Sequence, residues 1–401
     1  MPAKIGQKDL ETWADFLLNH SLGGVDTDDV IMVKGEPITW PLMSVLQNKI
    51  FAAGAIADIN LVAPDNNRGQ VWGAAIARHG TVQQIERVPA WHRTRYESMN
   101  KYIEILGAEN PGLFADLPLD TATALSRADE PFKTIRLEKS WVLTLYPTEA
   151  FAAIESMDLQ TYTDIIVKAS TAAPRLLEKL EDPVFKMMES GRTIVIRTRH
   201  PHFNRILELT MDIGDRFAVK CTGKRNFPDG EVFTSPNAGS VQGEIFVDLP
   251  VFYSGVTLQG IYLKFVDGMI VDYRADREHE TLKKIIETDE GSHRLGEIAL
   301  GMNQGLTVAL RHPLFVEKVS GTLHIAIGAS YPECFVRKPQ SVEAKPELEA
   351  FWKNGAFNKS AQHVDIVVDY RRGGAGRSLF VDDTEIRVID NVWTVMETGS
   401  R

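Results

Sequence analysis

Cysteine is nearly absent: the chain has 401 residues and two thiols, Cys221 and Cys334. That excludes a disulfide framework. Neither cysteine sits in a Cys-x-x-Cys pair, so a zinc knuckle or a thioredoxin-type site is excluded too. Both read as buried small apolar residues. Positive charge is in deficit, with 44 Lys+Arg against 54 Asp+Glu and a formal net charge of −10. Non-specific nucleic-acid binding needs a basic face, so no nucleic-acid partner is expected. No run approaches the roughly 20 apolar residues of a membrane span. The segment Met1 to Leu10 is polar and charged, unlike a signal peptide. The expectation is a cytoplasmic protein with no membrane partner.

Several catalytic motifs are missing as well. No Gly-x-Gly-x-x-Gly follows the first strand-like segment, and no Gly-Lys-Ser/Thr phosphate loop occurs, so nucleotide binding has no motif to rest on. There is no Gly-x-Ser-x-Gly elbow. His279-Glu280 has Lys283 where a His-Glu-x-x-His zinc motif needs its second histidine. His200-Pro201-His202 reads as a surface turn.

What is present is an ordinary globular composition, 44% hydrophobic and 24% charged, with length for about two domains. Leu10, Trp13, Phe16, Leu17 and Leu22 have helical spacing. Segments 29–34, 57–63 and 141–146 read as buried strands and 39–53 as a helix. Thr148 supplies cap chemistry for another helix. Segment 91–106, with His92, Arg93, Arg95 and Lys101, reads as a solvated helix surface or a basic face. Segment 159–180 reads as a long helix broken or kinked at Pro174. This order predicts an α/β domain with a parallel sheet over 1–185. The charged segment 178–191 is the candidate boundary. Beyond it strands dominate, including a hairpin turning at Asp267-Gly268, and a β-rich α+β domain is expected over 186–401.

Chemistry-bearing residues concentrate in that second half. Pro228, Asp229 and Gly230 form a turn signal. Glu231 follows it at the start of a short apolar run, where a stiff backbone aims a carboxylate suited to a divalent cation. The alternative is a solvated residue beside a turn. His363 and Asp365 flank Val364 and so share one face of a strand. They form half a metal site, or two polar residues on a wet edge. His324 interrupts an apolar strand, and Tyr331-Pro332 closes the loop after it. Glu297 follows Gly296 and precedes an apolar run. Periodicity alone does not bring these residues together.

Their order and wording do. Asn-Phe-Pro-Asp-Gly-Glu-Val-Phe-Thr-Ser-Pro (226–236), Gly-Glu-Ile-Ala-Leu (296–300), His-Ile-Ala-Ile-Gly-Ala-Ser-Tyr-Pro (324–332) and His-Val-Asp (363–365) together resemble the aminopeptidase T / aminopeptidase S family of dinuclear, thermophilic-type metallopeptidases. The resemblance extends more weakly over the first half, through Tyr146-Pro147-Thr148-Glu149-Ala150. It implies that Glu231, Glu297, His324, His363 and Asp365 ligate two divalent ions (Zn, Co, Mn or Mg), with Glu297 bridging. It implies that Glu297 and Tyr331 are catalytic, Tyr331 stabilising the oxyanion. It further implies a metal-bridging water as nucleophile, short peptides with a free N-terminus as substrates, and a homodimer with an enclosed site.

Two departures are visible. The family's acidic residue before the His324 position has its counterpart in Glu317, displaced by a short insertion, or is missing. Segment 338–352 looks like an exposed helical insert. Three rivals stand beside the peptidase. Ring-cleaving dihydroxypyridine dioxygenases resemble this family but use a mononuclear iron site with more His and fewer Glu ligands, acting on an aromatic N-heterocycle. The second rival is a hydrolase of a non-peptide amide. The third is a binding protein with a vestigial metal site.

Overall fold

The computed structural model describes residues 3–62, 73–110, 117–202, 204–253, 256–339, 341, 343–372 and 376–396. The chain forms two compact units. One is Met1–Pro174 with Gly223–Pro228, and the other is Arg175–Thr222 with Asp229–Arg401. Segment 178–191, read as a boundary, lies almost wholly within the helix Pro174–Ser190. Pro174 begins that helix rather than kinking the preceding one, Leu159–Thr171, because a proline is tolerated where no intrahelical N–H is needed.

The first unit carries the expected parallel sheet. Its strands run in the order Ile56–Leu61, Val30–Gly35, Lys101–Leu106, Ser140–Leu145 and the two-residue Asn226–Phe227, every pair parallel. Ala63, the last residue of the expected second strand, lies outside the described residues. The opening helix Gln7–Asp15 buries Leu10, Trp13 and Ala14, then continues as a π-helical turn over Phe16–Ser21 that buries Leu17 and Leu18. Thr148 caps the helix Glu149–Ile154 by accepting from the Phe151 N–H at 3.2 Å.

Segment 91–106 departs from its reading as one helix surface. It is the helix Ala90–Ser98 followed by the strand Lys101–Leu106. Arg93 does lie on an exposed helix surface, paired with Glu97, but Arg95 binds both Asp58 oxygens at 2.8 and 2.7 Å, Lys101 binds Asp29 at 2.5 Å, and the His92 ring is buried against Phe132. Helical and strand periods join at Met99 and Asn100 without a glycine or proline to mark the change.

The second unit is antiparallel and two-layered. One sheet contains Thr193–His200, Arg205–Asp212, Gln242–Val247, Val251–Tyr253, Val256–Val266, Met269–Arg277, Ser378–Val381, Thr384–Ile389 and Val392–Val395. Asp267 and Gly268 turn its central hairpin with φ of 50° and 77°, as a two-residue primed turn requires. The other sheet has five strands in the order His363–Asp369, Thr322–Gly328, Leu295–Gly301, Glu231–Thr234 and Val219–Cys221. Both sheets contribute to one apolar cluster, for example Ile196, Leu209 and Leu263 with Ile298, Ile325 and Ile366. The expected insert is the helix Ala344–Lys353; Gln340 and Val342 before it lie outside the described residues.

A buried charge cluster braces the first unit. Lys34 Nζ lies 2.9 Å from Glu104 Oε1 and Arg136 Nη1 lies 2.7 Å from Glu104 Oε2, with the Lys34 side chain 3% exposed. Removing one partner of such a group leaves an uncompensated charge and costs about 3–5 kcal/mol. Glu104→Ala is therefore expected to lower the unfolding midpoint of this unit in urea, followed by the fluorescence of Trp13 and Trp141. An unchanged midpoint would contradict the charged state assigned to Lys34.

Candidate metal centre

The five-stranded sheet has two chemically opposite faces. Val232, Ile298, Leu300, Leu323, Ile325, Ile327, Val364, Ile366 and Val368 enter the core. Side chains alternate along a strand, so Glu231, His324, His363 and Asp365 project from the other face. Glu297 joins them by the same alternation, since its neighbour Ile298 enters the core. The pairing shifts between Leu295 and Glu297, and that bulge returns Leu295 to the core face as well, as a one-residue insertion does. Glycines precede both glutamates for steric reasons. A Cβ on Gly296 would lie 1.9 Å from the Ala329 carbonyl oxygen. Gly230 has φ +140° and its Cβ would lie 2.9 Å from the Asn303 nitrogen.

The structure brings all five sequence-identified ligand candidates together. His324 Nε2 is 3.6 Å from Glu231 Oε2 and 3.6 Å from Glu297 Oε1. His363 Nε2 is 3.0 Å from Glu297 Oε2 and 3.5 Å from Asp365 Oδ1. Two ligand groups result, Glu231/Glu297/His324 and Glu297/His363/Asp365, each with donor atoms within 4.8 Å of one another and Glu297 common to both. Tyr331 stands beside them, its ring edge on His363 at 4.7 Å between centroids and its far side against Phe233.

The donor set fits cations. Glu231 Oε2, His324 Nδ1 and Asp365 Oδ1 are buried without a hydrogen-bond partner, a costly condition unless something else binds there. His363 Nδ1 lies 2.8 Å from the Ala329 carbonyl oxygen. A carbonyl only accepts, so Nδ1 carries the proton and donates. That leaves the Nε2 lone pair facing the Glu297 carboxylate, and only a proton or a metal ion between them makes this favourable. Burial lowers the affinity of both histidines for a proton, but the carboxylates outweigh it. Hydrogen bonds to Asp365 and Glu297 bring His363 up to about 11, and Glu297 brings His324 up to about 9. Burial and the Glu297 charge push the Tyr331 phenol well above the usual tyrosine range, so it stays a donor at neutral pH.

A second group of charges lies behind Glu231, and sequence reasoning missed its key member. Lys318, 1% exposed, places Nζ 2.7 Å from Glu231 Oε1, 2.9 Å from Glu317 Oε2 and 4.0 Å from Asp229 Oδ1. Burial drives the neighbouring Glu317 carboxyl up to about 8 even with that ammonium beside it. Cys221 is half-buried, packed on the apolar cluster that holds Cys334, Phe335, Phe357 and Ala299 and also next to Asp229 and Glu231. Glu181 is fully buried with both oxygens unbonded, and burial together with the charges of Asp229 and Glu231 raises it to about 10. The sequence points to this group only through Glu317, the candidate counterpart of the family's acidic residue, and Lys318 carries no signal of its own.

Comparison with known proteins follows from this geometry. Residues 6–373 match the family described as thermophilic metalloprotease (M29). The chain belongs to this family. It is 36% identical over 300 residues to aminopeptidase 2 of Geobacillus stearothermophilus, covering 65% of this chain and 68% of that one. It is 34% identical over 146 residues to aminopeptidase T of Thermus thermophilus, a match spanning 36% of this chain and 34% of the relative. Among solved structures, wild-type AmpT from Thermus thermophilus superposes with a TM-score of 0.74 at 19% identity over 97% of this chain and 98% of that one. The 2,5-dihydroxypyridine dioxygenase from Pseudomonas putida KT2440 superposes with a TM-score of 0.55 at 13% identity over 98% and 99%. The family resemblance and the mixed α/β fold expected from the motifs are thus borne out. No helix among the described residues is long and apolar enough to cross a membrane.

The raised histidines give a signed prediction. With a proton affinity near 9, His324 is an imidazolium at pH 7 in the metal-free protein, and it must lose that proton to ligate an ion. Adding Zn²⁺ to stripped protein in weak buffer at pH 7 is expected to release protons. The release should shrink as the starting pH rises through about 9. Metal uptake at pH 7 without proton release would show that the histidines do not ligate.

Proposed function

We propose that this chain is a metal-dependent aminopeptidase that releases N-terminal residues from short peptides. In this reading Glu231, Glu297 and His324 hold one divalent ion, Zn, Co, Mn or Mg. Glu297, His363 and Asp365 hold a second, with Glu297 bridging. The observation that carries it is the single buried carboxylate common to two ligand groups on one rigid sheet face. Such a pair of ions supplies a hydroxide nucleophile near neutral pH and polarises the scissile carbonyl.

The chain's own residues do the remainder. The Ala329 carbonyl fixes the His363 ring so that Nε2 faces the site. Glu297, held against His363, would orient the attacking water, and Tyr331 would donate to the oxyanion. A cavity of about 110 Å³ lies beside His363 and Asp365, walled by Val251, Phe252 and Val316. Arg311 and Glu317 also line it, so it offers apolar surface for a side chain together with charge of both signs. The same reading makes 186–401 the catalytic domain and 1–185 the N-terminal domain of a cytoplasmic homodimer.

The dioxygenase-like fold supports a second reading, ring cleavage at a mononuclear site. The presence of both Glu231 and Glu297 among the ligand groups favours the peptidase. Stripped protein, reloaded with Zn, Co, Mn or Mg, is to be tested on unblocked dipeptides, amino-acid anilides and their N-acetylated copies. Metal-restored cleavage of the free-amine substrates alone is expected. Cleavage of acetylated copies, or of none, would overturn the aminopeptidase reading. Glu297→Gln and His363→Ala are expected to lose activity with the circular dichroism spectrum intact. Tyr331→Phe should lower kcat by roughly 10²–10³-fold.

A further inference from the structure

Lys318 has no place in the chemistry above, yet it is the most constrained cation in its unit. Its backbone N–H donates to the Phe315 carbonyl and its own carbonyl accepts from Asn303 N–H. Its ammonium has three protons: one is directed to Glu231 Oε1, one to Glu317 Oε2, and Asp229 lies at 4.0 Å. Glu231 is therefore divided. Oε1 is held by the ammonium, while Oε2 has no hydrogen-bond partner and lies 3.6 Å from His324 Nε2. At the other end of the centre, Asp365 and Glu297 make their close contacts with His363 instead.

We propose that Lys318 is a positioning residue, a resident cation that fixes Glu231 for one-oxygen ligation and makes the Glu231/Glu297/His324 position bind divalent ions more weakly than the Glu297/His363/Asp365 position. A carboxylate already paired with an ammonium offers less negative charge to an ion, and the ammonium repels that ion directly. The repulsion falls with distance, so the position built on Glu231 feels it more than the one built on Asp365. The ammonium also balances the Glu231 charge when no ion is bound, so the metal-free centre stays folded and the weaker ion exchanges freely.

This inference rests on the dinuclear reading and is tested separately from it. The probe is Zn²⁺ titrated into stripped full-length protein by calorimetry, with no substrate present. Wild type is expected to show two classes of site at least roughly tenfold apart in affinity. Lys318→Met, which keeps the apolar stem, should tighten the weaker class by about tenfold or more and leave the tighter one unchanged. Lys318→Arg should retain the wild-type separation. Chelation should lower the thermal midpoint of Lys318→Met further than that of wild type, and Zn²⁺ should restore it. Two equal sites in wild type, a measurement that needs no variant, would overturn the proposal while leaving a dinuclear centre in place. So would an unchanged separation in Lys318→Met. Uptake of fewer than two ions would overturn the dinuclear reading itself, and this inference with it.

Discussion

The centre depends on one electrostatic constraint: several carboxylates share the buried face of a sheet and require positive charge to be there. Glu231 and Glu297 are 6% and 3% exposed. Charges so far from water are tolerated only when paired or bound to a cation. The supporting architecture serves this arrangement. The apolar face of the same strands fills the core, which locks the backbone. Alternation with Val232 and Ile298 aims the two glutamates, and the close approaches at Gly230 and Gly296 fix the backbone before them. The Ala329 carbonyl removes the rotational freedom of His363. Each device is local, and together they hold the ligand atoms before any ion arrives, which is how a rigid scaffold gains affinity and geometry at a metal site.

Much of this was legible in the chain, for identifiable reasons. Val364, Ile366 and Val368 alternate with His363 and Asp365, and a period of two places each set on its own face. The Pro-Asp-Gly turn located Glu231 at a strand start. Asp267-Gly268 gave its hairpin because a primed turn needs residues that accept positive φ. Other features lacked a local signal. The bulge that returns Leu295 to the core comes from pairing with a strand some thirty residues away. The strand Lys101–Leu106 follows its helix without punctuation, so its cations read as a surface. Lys318 was illegible because composition makes a lysine solvent-facing by default, and only three-dimensional crowding by Glu231, Glu317 and Asp229 reverses that.

Fold and chemistry separate cleanly in this molecule. The same architecture is found in the AmpT structure and in that of a 2,5-dihydroxypyridine dioxygenase, and both likenesses fall below the identity at which function travels with fold. Family membership narrows the chemistry, and the side chains on one sheet face narrow it again. A centre rich in glutamate suits hard or borderline ions that carry water, whereas substituting histidine for those carboxylates lowers the negative charge and suits a redox-active metal. The second unit retains Glu231, Glu297 and Asp365 side by side.

The two buried lysines among the described residues show how charge balance distinguishes bracing from function. Lys34 is matched by Glu104, which Arg136 also binds, so cations equal or exceed the carboxylates they touch. Nothing more is needed there, and the group is complete as a structural brace. Lys318 faces Glu231, Glu317 and Asp229 at once, while Glu297 and Asp365 lie just beyond with two histidines. One ammonium cannot compensate that many carboxylates. The remaining deficit is expressed in histidines driven to hold protons and in the unbonded oxygens of Glu231 and Asp365. A buried cluster left short of positive charge is costly to fold. Its persistence on a rigid sheet fits the cation that a metalloprotease family implies.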